Sequence, residues 1–276
     1  MKKVSSKVIW IIVLIISILI CAVCGGYLVK YFFFDTTSPI DRVQATTPNT
    51  EATDVTEIET QVETQLETRF KEKTADLPQD DFVDFEELME INPDIYAWIY
   101  IPNTNVDYPV AQSAEGVDDS FYLTHNVYKN YQFSGTIYTE KKNNREFTDP
   151  VTVLYGHNML NGSMFASLHN FNDIEFFNKN NTIFVFTKDK VFTYLIYSAY
   201  QYDDRHILNS FDMSDSESFK QYLDSTLVER PYYCNVREDI KLTTDDRIIT
   251  LSTCMNGGGN VRYLVQGVLV NEQPAQ

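Results

Sequence analysis

Cys254, His157 and Arg262 are the residues of this chain whose types and settings suit one chemistry, acyl transfer. A thiol can attack a carbonyl and hold the acyl group as a thioester, splitting one hard step into two. An imidazole can give a proton to the leaving amine and take one from the incoming nucleophile. A guanidinium can donate hydrogen bonds to the carbonyl oxygen as it gains charge. Alone, each has a plainer explanation: a buried cysteine, a loop histidine, a strand-end arginine in a surface ion pair. His125, His169 and His206 stand in polar or helical settings and read as structural or surface residues. Cys234, after Pro231-Tyr-Tyr, also reads as structural.

The three residues need elements that bring them together. Val151–Tyr155 and Arg247–Thr253 are rich in apolar and β-branched residues, as strands are, and Cys254 stands at the end of the second. Along the second, side chains alternate, so Cys254 shares a face with Ser252 and Thr250, while Ile249, Leu251 and Thr253 face the other way. Gly156-His157-Asn158 turns off the end of the first strand. Arg262 opens a last strand eight residues after the cysteine, and Gly257 to Gly259 permit the tight return between them. Further strands are expected at Tyr96–Ile101, Val106–Ala111, Gly135–Thr139, Thr182–Thr187, Val191–Tyr200 and Val261–Val270. Roughly eight strands fit one barrel or sandwich. Helices are expected at Asp84–Ile91, at Met164–Phe177 with a break, and at Ser214–Glu229 behind Ser and Asp caps.

Composition divides the chain in three. The whole has 276 residues and a net charge of -17, which disfavours a polyanionic partner such as nucleic acid. Residues 1–34 hold four lysines and no acid. Val8 to Val29 is an uncharged apolar run of 22 residues, against the ~20 that cross a bilayer. Lys2, Lys3 and Lys7 precede it, so it reads as an uncleaved signal anchor with the N-terminus cytoplasmic and the rest outside. Cys21 and Cys24 fall inside it as small apolar residues. Residues 35–80 carry 11 acids and 4 bases among many threonines and read as a stalk. A Glu-Thr repeat between 59 and 70 leaves two forms open, a disordered spacer or a short self-associating helix. Residues 81–276 form the third segment, rich in tyrosine and phenylalanine. It shows no zinc-ligand spacing, P-loop, GxGxxG or G-x-S-x-G, and no metal or cofactor is expected.

Thr250-Leu-Ser-Thr-Cys254 matches the TLxTC motif of the sortases. With Arg262 downstream and Leu154-Tyr-Gly-His-Asn158 upstream, the chain resembles those membrane-anchored cysteine transpeptidases of Gram-positive cell surfaces. The long helix before the cysteine strand and the Tyr-Gly-His-Asn-Met run are most similar to class B. The resemblance implies a mainly β fold with helical insertions, an eight-stranded sortase-like barrel spanning 82–272. It implies Cys254 as nucleophile, His157 as proton donor and acceptor, and Arg262 as the group that holds substrate and oxyanion. Ser252 is an auxiliary candidate, since it shares the cysteine's face. The implied reaction cleaves a C-terminal sorting signal of a secreted protein, NPxTN- or NPxTG-like, after its Thr. The acyl group then passes to a cell-wall peptide amine. Three alternatives remain: a pilus-polymerising sortase using a pilin lysine, a thiol protease that only hydrolyses, and a catalytically silent binding module on a stalk.

Overall fold

The computed structural model of the chain describes residues 74–78, 83–255 and 260–275, together with Ser17, Cys21 and Val23. The chain divides into two units, Met1–Thr37 and Ser38–Gln276. In the first, the three described residues are helical and exposed. The rest of the expected anchor lies outside the described residues, as do the Glu-Thr repeat and the three loop glycines. Among the described residues no helix is long and apolar enough to cross a membrane.

The second unit is built on strands β1 (Ile95–Tyr100), β2 (Asp107–Gln112), β3 (Ile137–Thr139), β4 (Val151–Tyr155), β5 (Thr182–Thr187), β6 (Lys190–Asp203), β7 (Cys234–Val236), β8 (Ile248–Cys254) and β9 (Val261–Pro274). Pairing runs β1-β2-β3-β4-β8-β9-β6-β5, and β5 pairs back onto β1, closing a barrel of eight strands. Closure leaves no long open edge for another chain to extend. β5 pairs with Val191–Leu195 of β6 and β7 with Ser198–Tyr200, so β7 is a ninth strand on the same edge. Each of the eight expected strands falls on one barrel strand; β7 has three residues, too few to carry an alternation. Two neighbouring pairs are parallel, β2–β3 and β4–β8.

Alternation sorts the side chains. Leu154, Ile249, Leu251, Tyr263 and Val265 face the barrel interior with Phe165 and Phe171. Val153, Leu264 and Tyr200 face outward, where they are covered by a helical insertion. That insertion holds a short helix Ile207–Ser210 and a longer one, Ser216–Thr226, whose Asp215 cap accepts from the Ser218 N–H at 2.8 Å. Phe219, Tyr222 and Leu223 of the longer helix pack on the sheet. A buried polar chain fixes its seat: Gln266 donates to Tyr222 Oη at 2.7 Å, Tyr222 and Thr250 hydroxyls lie 3.0 Å apart, and Tyr197 donates to Gln266 Oε1 at 2.8 Å. Thr250, first residue of the Thr-Leu-Ser-Thr-Cys run, thus anchors the helix.

At one end of the barrel, helix Phe85–Ile91 starts at Asp84, whose carboxylate accepts from the Glu86 and Glu87 N–H groups at 3.0 Å. Phe85 and Leu88 pack with Trp98, Phe184 and Phe186. Leu77 adds to that cluster, and the Ala75 N–H donates to Thr182 Oγ1 at 2.7 Å. The last residues of the segment read as stalk therefore lie on the barrel. The expected broken helix resolves into a 3-10 stretch, Ala166–Asn172, and a helix, Ile174–Lys179, capped by Asp173.

Candidate active site

The parallel pair β4–β8 and the antiparallel pair β8–β9 bring the predicted residues to one end of the sheet. Cys254 and Arg262 are cross-strand partners, so their side chains share the outer face. Tyr155 is the partner of Ser252, and the Gly156 N–H extends the ladder by donating to the Ser252 carbonyl at 3.1 Å. His157 follows at once. His157, Ser252, Cys254 and Arg262 all line one cavity of about 290 Å³, walled by Tyr138, Tyr155 and the start of the helical insertion. Ser252 is buried in its floor, while Cys254 and Arg262 are half-buried. A thiol, an imidazole and a guanidinium around one hollow are equipped for acyl transfer.

Space explains Gly156. A Cβ there would lie 2.5 Å from Ile137 Cδ1 and 2.7 Å from Phe165 Cδ2. The chain then folds back, with the Phe165 N–H donating to the His157 carbonyl at 2.9 Å. Met164 makes that return in the left-handed region, at φ 56°. The imidazole is held on two sides. Its Nε2 donates to the Leu123 carbonyl at 2.9 Å, and its ring stacks on Phe133 at 5.1 Å between centroids. A carbonyl only accepts, so Nε2 carries the proton in this tautomer. Burial holds His157 below its ordinary value of 6.5, with the Leu123 bond opposing that shift. Burial raises the Tyr138 and Tyr155 phenols, and the Arg262 charge works against it.

Other residues of the site escaped the linear reading. His169, taken as structural or surface, donates from Nε2 to the Cys254 carbonyl at 3.0 Å and stacks on Tyr263. Asn158 donates to the same carbonyl at 3.0 Å. His206 also lines the cavity, its Nε2 2.6 Å from Glu140 Oε2. Leu123 and Phe133 come from a long loop with no periodicity to mark it. Only Asn158, adjacent to His157, carried any signal. Cys234 lies on β7 and His125 stacks on Phe121, both outside the cavity's lining.

Comparison with known proteins agrees with this geometry. Residues 99–270 match the sortase-domain family model. Sortase B of Listeria monocytogenes is 33% identical over 191 residues, covering 68% of this chain and 75% of that protein. Sortase B of Staphylococcus aureus is 31% identical over 170 residues, 62% of this chain and 67% of that one. The X-ray structure of Clostridium perfringens sortase B superposes with a TM-score of 0.60 at 35% identity, covering 67% of this chain and 99% of that one. The barrel and its cysteine site define an enzyme of the cysteine transpeptidase type, and the chain belongs to the sortase family. Within the family its relatives and structural neighbours place it in class B.

Proposed function

We propose that Cys254 is the nucleophile of this sortase. It attacks the carbonyl carbon of the Thr in an NPxTN- or NPxTG-like sorting signal, and a thioester to that Thr replaces the peptide bond that follows it. The neutral His157 ring takes the thiol proton as the sulfur attacks and passes it to the leaving amine; it then accepts a proton from the incoming cell-wall peptide amine and returns it to the released Cys254 thiolate. Arg262, directly across the strand pair, donates to the developing oxyanion and to the substrate backbone. Ser252, buried in the cavity floor, is an auxiliary group. The observation that carries this reading is the Cys254–Arg262 cross-strand pairing, with His157 entering from the parallel neighbour. We also propose that residues 8–29 anchor the chain in the membrane with a cytoplasmic N-terminus, and that 35–80 hold residues 81–276 outside the cell. The apolar run and its preceding lysines support this.

The test is incubation of the full-length protein with a panel of sorting peptides and candidate amines, followed by mass spectrometry. The expected result is a thioester on Cys254 and an amine adduct ending in Thr. Cys254→Ala should lower cleavage by at least about a thousandfold. Retained cleavage in that variant would refute the assignment. Hydrolysed product without adduct would instead mark a protease, and adducts restricted to a pilin lysine would mark a polymerising enzyme.

A further inference from the structure

The carbonyl oxygen of Cys254 is the meeting point of two side chains from separate parts of the fold. β4 ends at Tyr155, opposite Ser252, so β8 runs two residues beyond its parallel neighbour. On that side the Cys254 carbonyl has no strand to receive a ladder bond from. In register, the Gly156 N–H serves the Ser252 carbonyl, and the next bond would run from residue 158 to the Cys254 carbonyl. The chain has turned by then. The Asn158 side-chain amide makes that bond in place of a backbone N–H, at 3.0 Å. His169, from the 3-10 stretch, brings Nε2 to the same oxygen at 3.0 Å, and the two donors sit 3.1 Å apart. A carbonyl offers two lone pairs, and here both are taken.

We propose that Asn158 and His169 are positioning residues, which act on catalysis by fixing the backbone of Cys254 at a set distance from His157. Three connections make this more than packing. Asn158 is covalently next to His157, so its bond ties the histidine-bearing turn directly to the cysteine's own peptide unit. His169 is braced by its stack on Tyr263, the residue after Arg262, with ring centroids 4.9 Å apart. Its ring is therefore coupled to the strand that carries the guanidinium. And Cys254 is the last residue of β8, where a strand frays unless something holds it. Attack by a thiol tolerates little slack: a shift of about 1 Å can lower a rate by about a hundredfold.

The inference rests on the assignment of Cys254 as nucleophile, so its test has one arm that needs no peptide substrate. In the full-length protein, the variants Asn158→Asp, Asn158→Ala, His169→Phe and His169→Gln are compared with wild type. Asp keeps the shape of Asn but cannot donate, and Gln restores a donor near the Nε2 position that Phe removes. Transpeptidation should show kcat lowered about tenfold or more in N158D and H169F, with KM within about threefold of wild type. H169Q should recover to within about threefold. Iodoacetamide labelling of the Cys254 peptide, read by mass spectrometry, should change rate in the same order. Melting temperatures should stay within about 3 °C of wild type. If N158D unfolds, N158A carries the comparison. The inference is overturned if N158D and H169F keep kcat and labelling within about twofold of wild type, or if H169Q does no better than H169F. It is also overturned if the losses only follow a lowered melting temperature. If wild type forms no thioester with any sorting peptide, the proposed function fails, and the labelling order alone decides the positioning role.

Discussion

His157 is held in its neutral form by its surroundings more than by its partners. Burial is the leading cause of its lowered value, and the hydrogen bond to Leu123 works the other way. The unfolded chain therefore binds a proton at this ring more readily than the folded one. The site becomes a drain on stability as the pH falls below 6.5, the ordinary histidine value. Phe133 covers one face of the ring. Phe133→Ala should admit water and raise the titration midpoint towards 6.5, where wild type titrates lower. NMR of the His157 ring protons across the acid range measures both, and an unmoved or lowered midpoint in the variant would contradict burial as the cause. Cys254, His157 and Arg262 were legible in the sequence because each sits at a strand end beside a turn signal. Phe133 and His169 were not, because stacking and long-range hydrogen bonds leave no mark on neighbouring residues.

Among the elements, the loop between β2 and β3 does the least predictable work. Asn92, which stops the first helix, donates to Tyr122 Oη at 2.8 Å and to the Val127 carbonyl at 3.0 Å. Tyr122 in turn donates to Asp94 at 2.8 Å, and Lys129 pairs with the same carboxylate at 2.9 Å. This knot fixes Tyr122, and the next residue is Leu123, whose carbonyl holds His157. Gly135 closes the loop from beneath at φ 61°, where a Cβ would lie 2.5 Å from that carbonyl oxygen. Tyr122→Phe leaves Asn92 and Asp94 short of a buried partner and should destabilise by about 1–3 kcal/mol in chemical denaturation. Burial alone would raise Asp94, but its bonds from Lys129 and Tyr122 outweigh that and hold it below 3.8. Its contribution is present above 3.8 and is lost as the pH falls through its lower folded value. The variant should therefore lose less stability on acidification than wild type; an equal loss would remove Asp94 from the account. The sequence shows the helix and its Asn-Pro stop clearly, while the loop's hydrogen bonds join residues about thirty positions apart, 28 to 35 in number.

At the scale of the molecule, the fold was largely readable, because its strands are rich in β-branched and aromatic residues and are separated by turns. Closure was harder to read: eight strands fit a barrel or a sandwich, and the choice lies in the pairing of β5 with both β1 and β6. The edge of the domain also lies earlier than composition suggests. Ala75 and Leu77 sit in an acidic, threonine-rich stretch, yet they contact β5 and the Trp98 cluster. Deleting residues 1–73 should leave the melting temperature of the barrel unchanged. Deleting 1–82 removes the Leu77 contact, worth about 1–2 kcal/mol, and should lower it. Equal melting temperatures for the two truncations would place the edge after residue 82.

The parallel pairing of β4 with β8 has a consequence for when the enzyme becomes active. Between the partners Tyr155 and Ser252 the chain runs through β5, β6, the helical insertion and β7, so their pairing closes a long loop, which is slow to form. The thiol and its imidazole come together only when that long-range pairing forms. Transpeptidation during refolding should accordingly lag behind the gain of helix and hairpin signals and coincide with the last, global phase. Product formed before that phase would show that the site assembles on a partly built barrel.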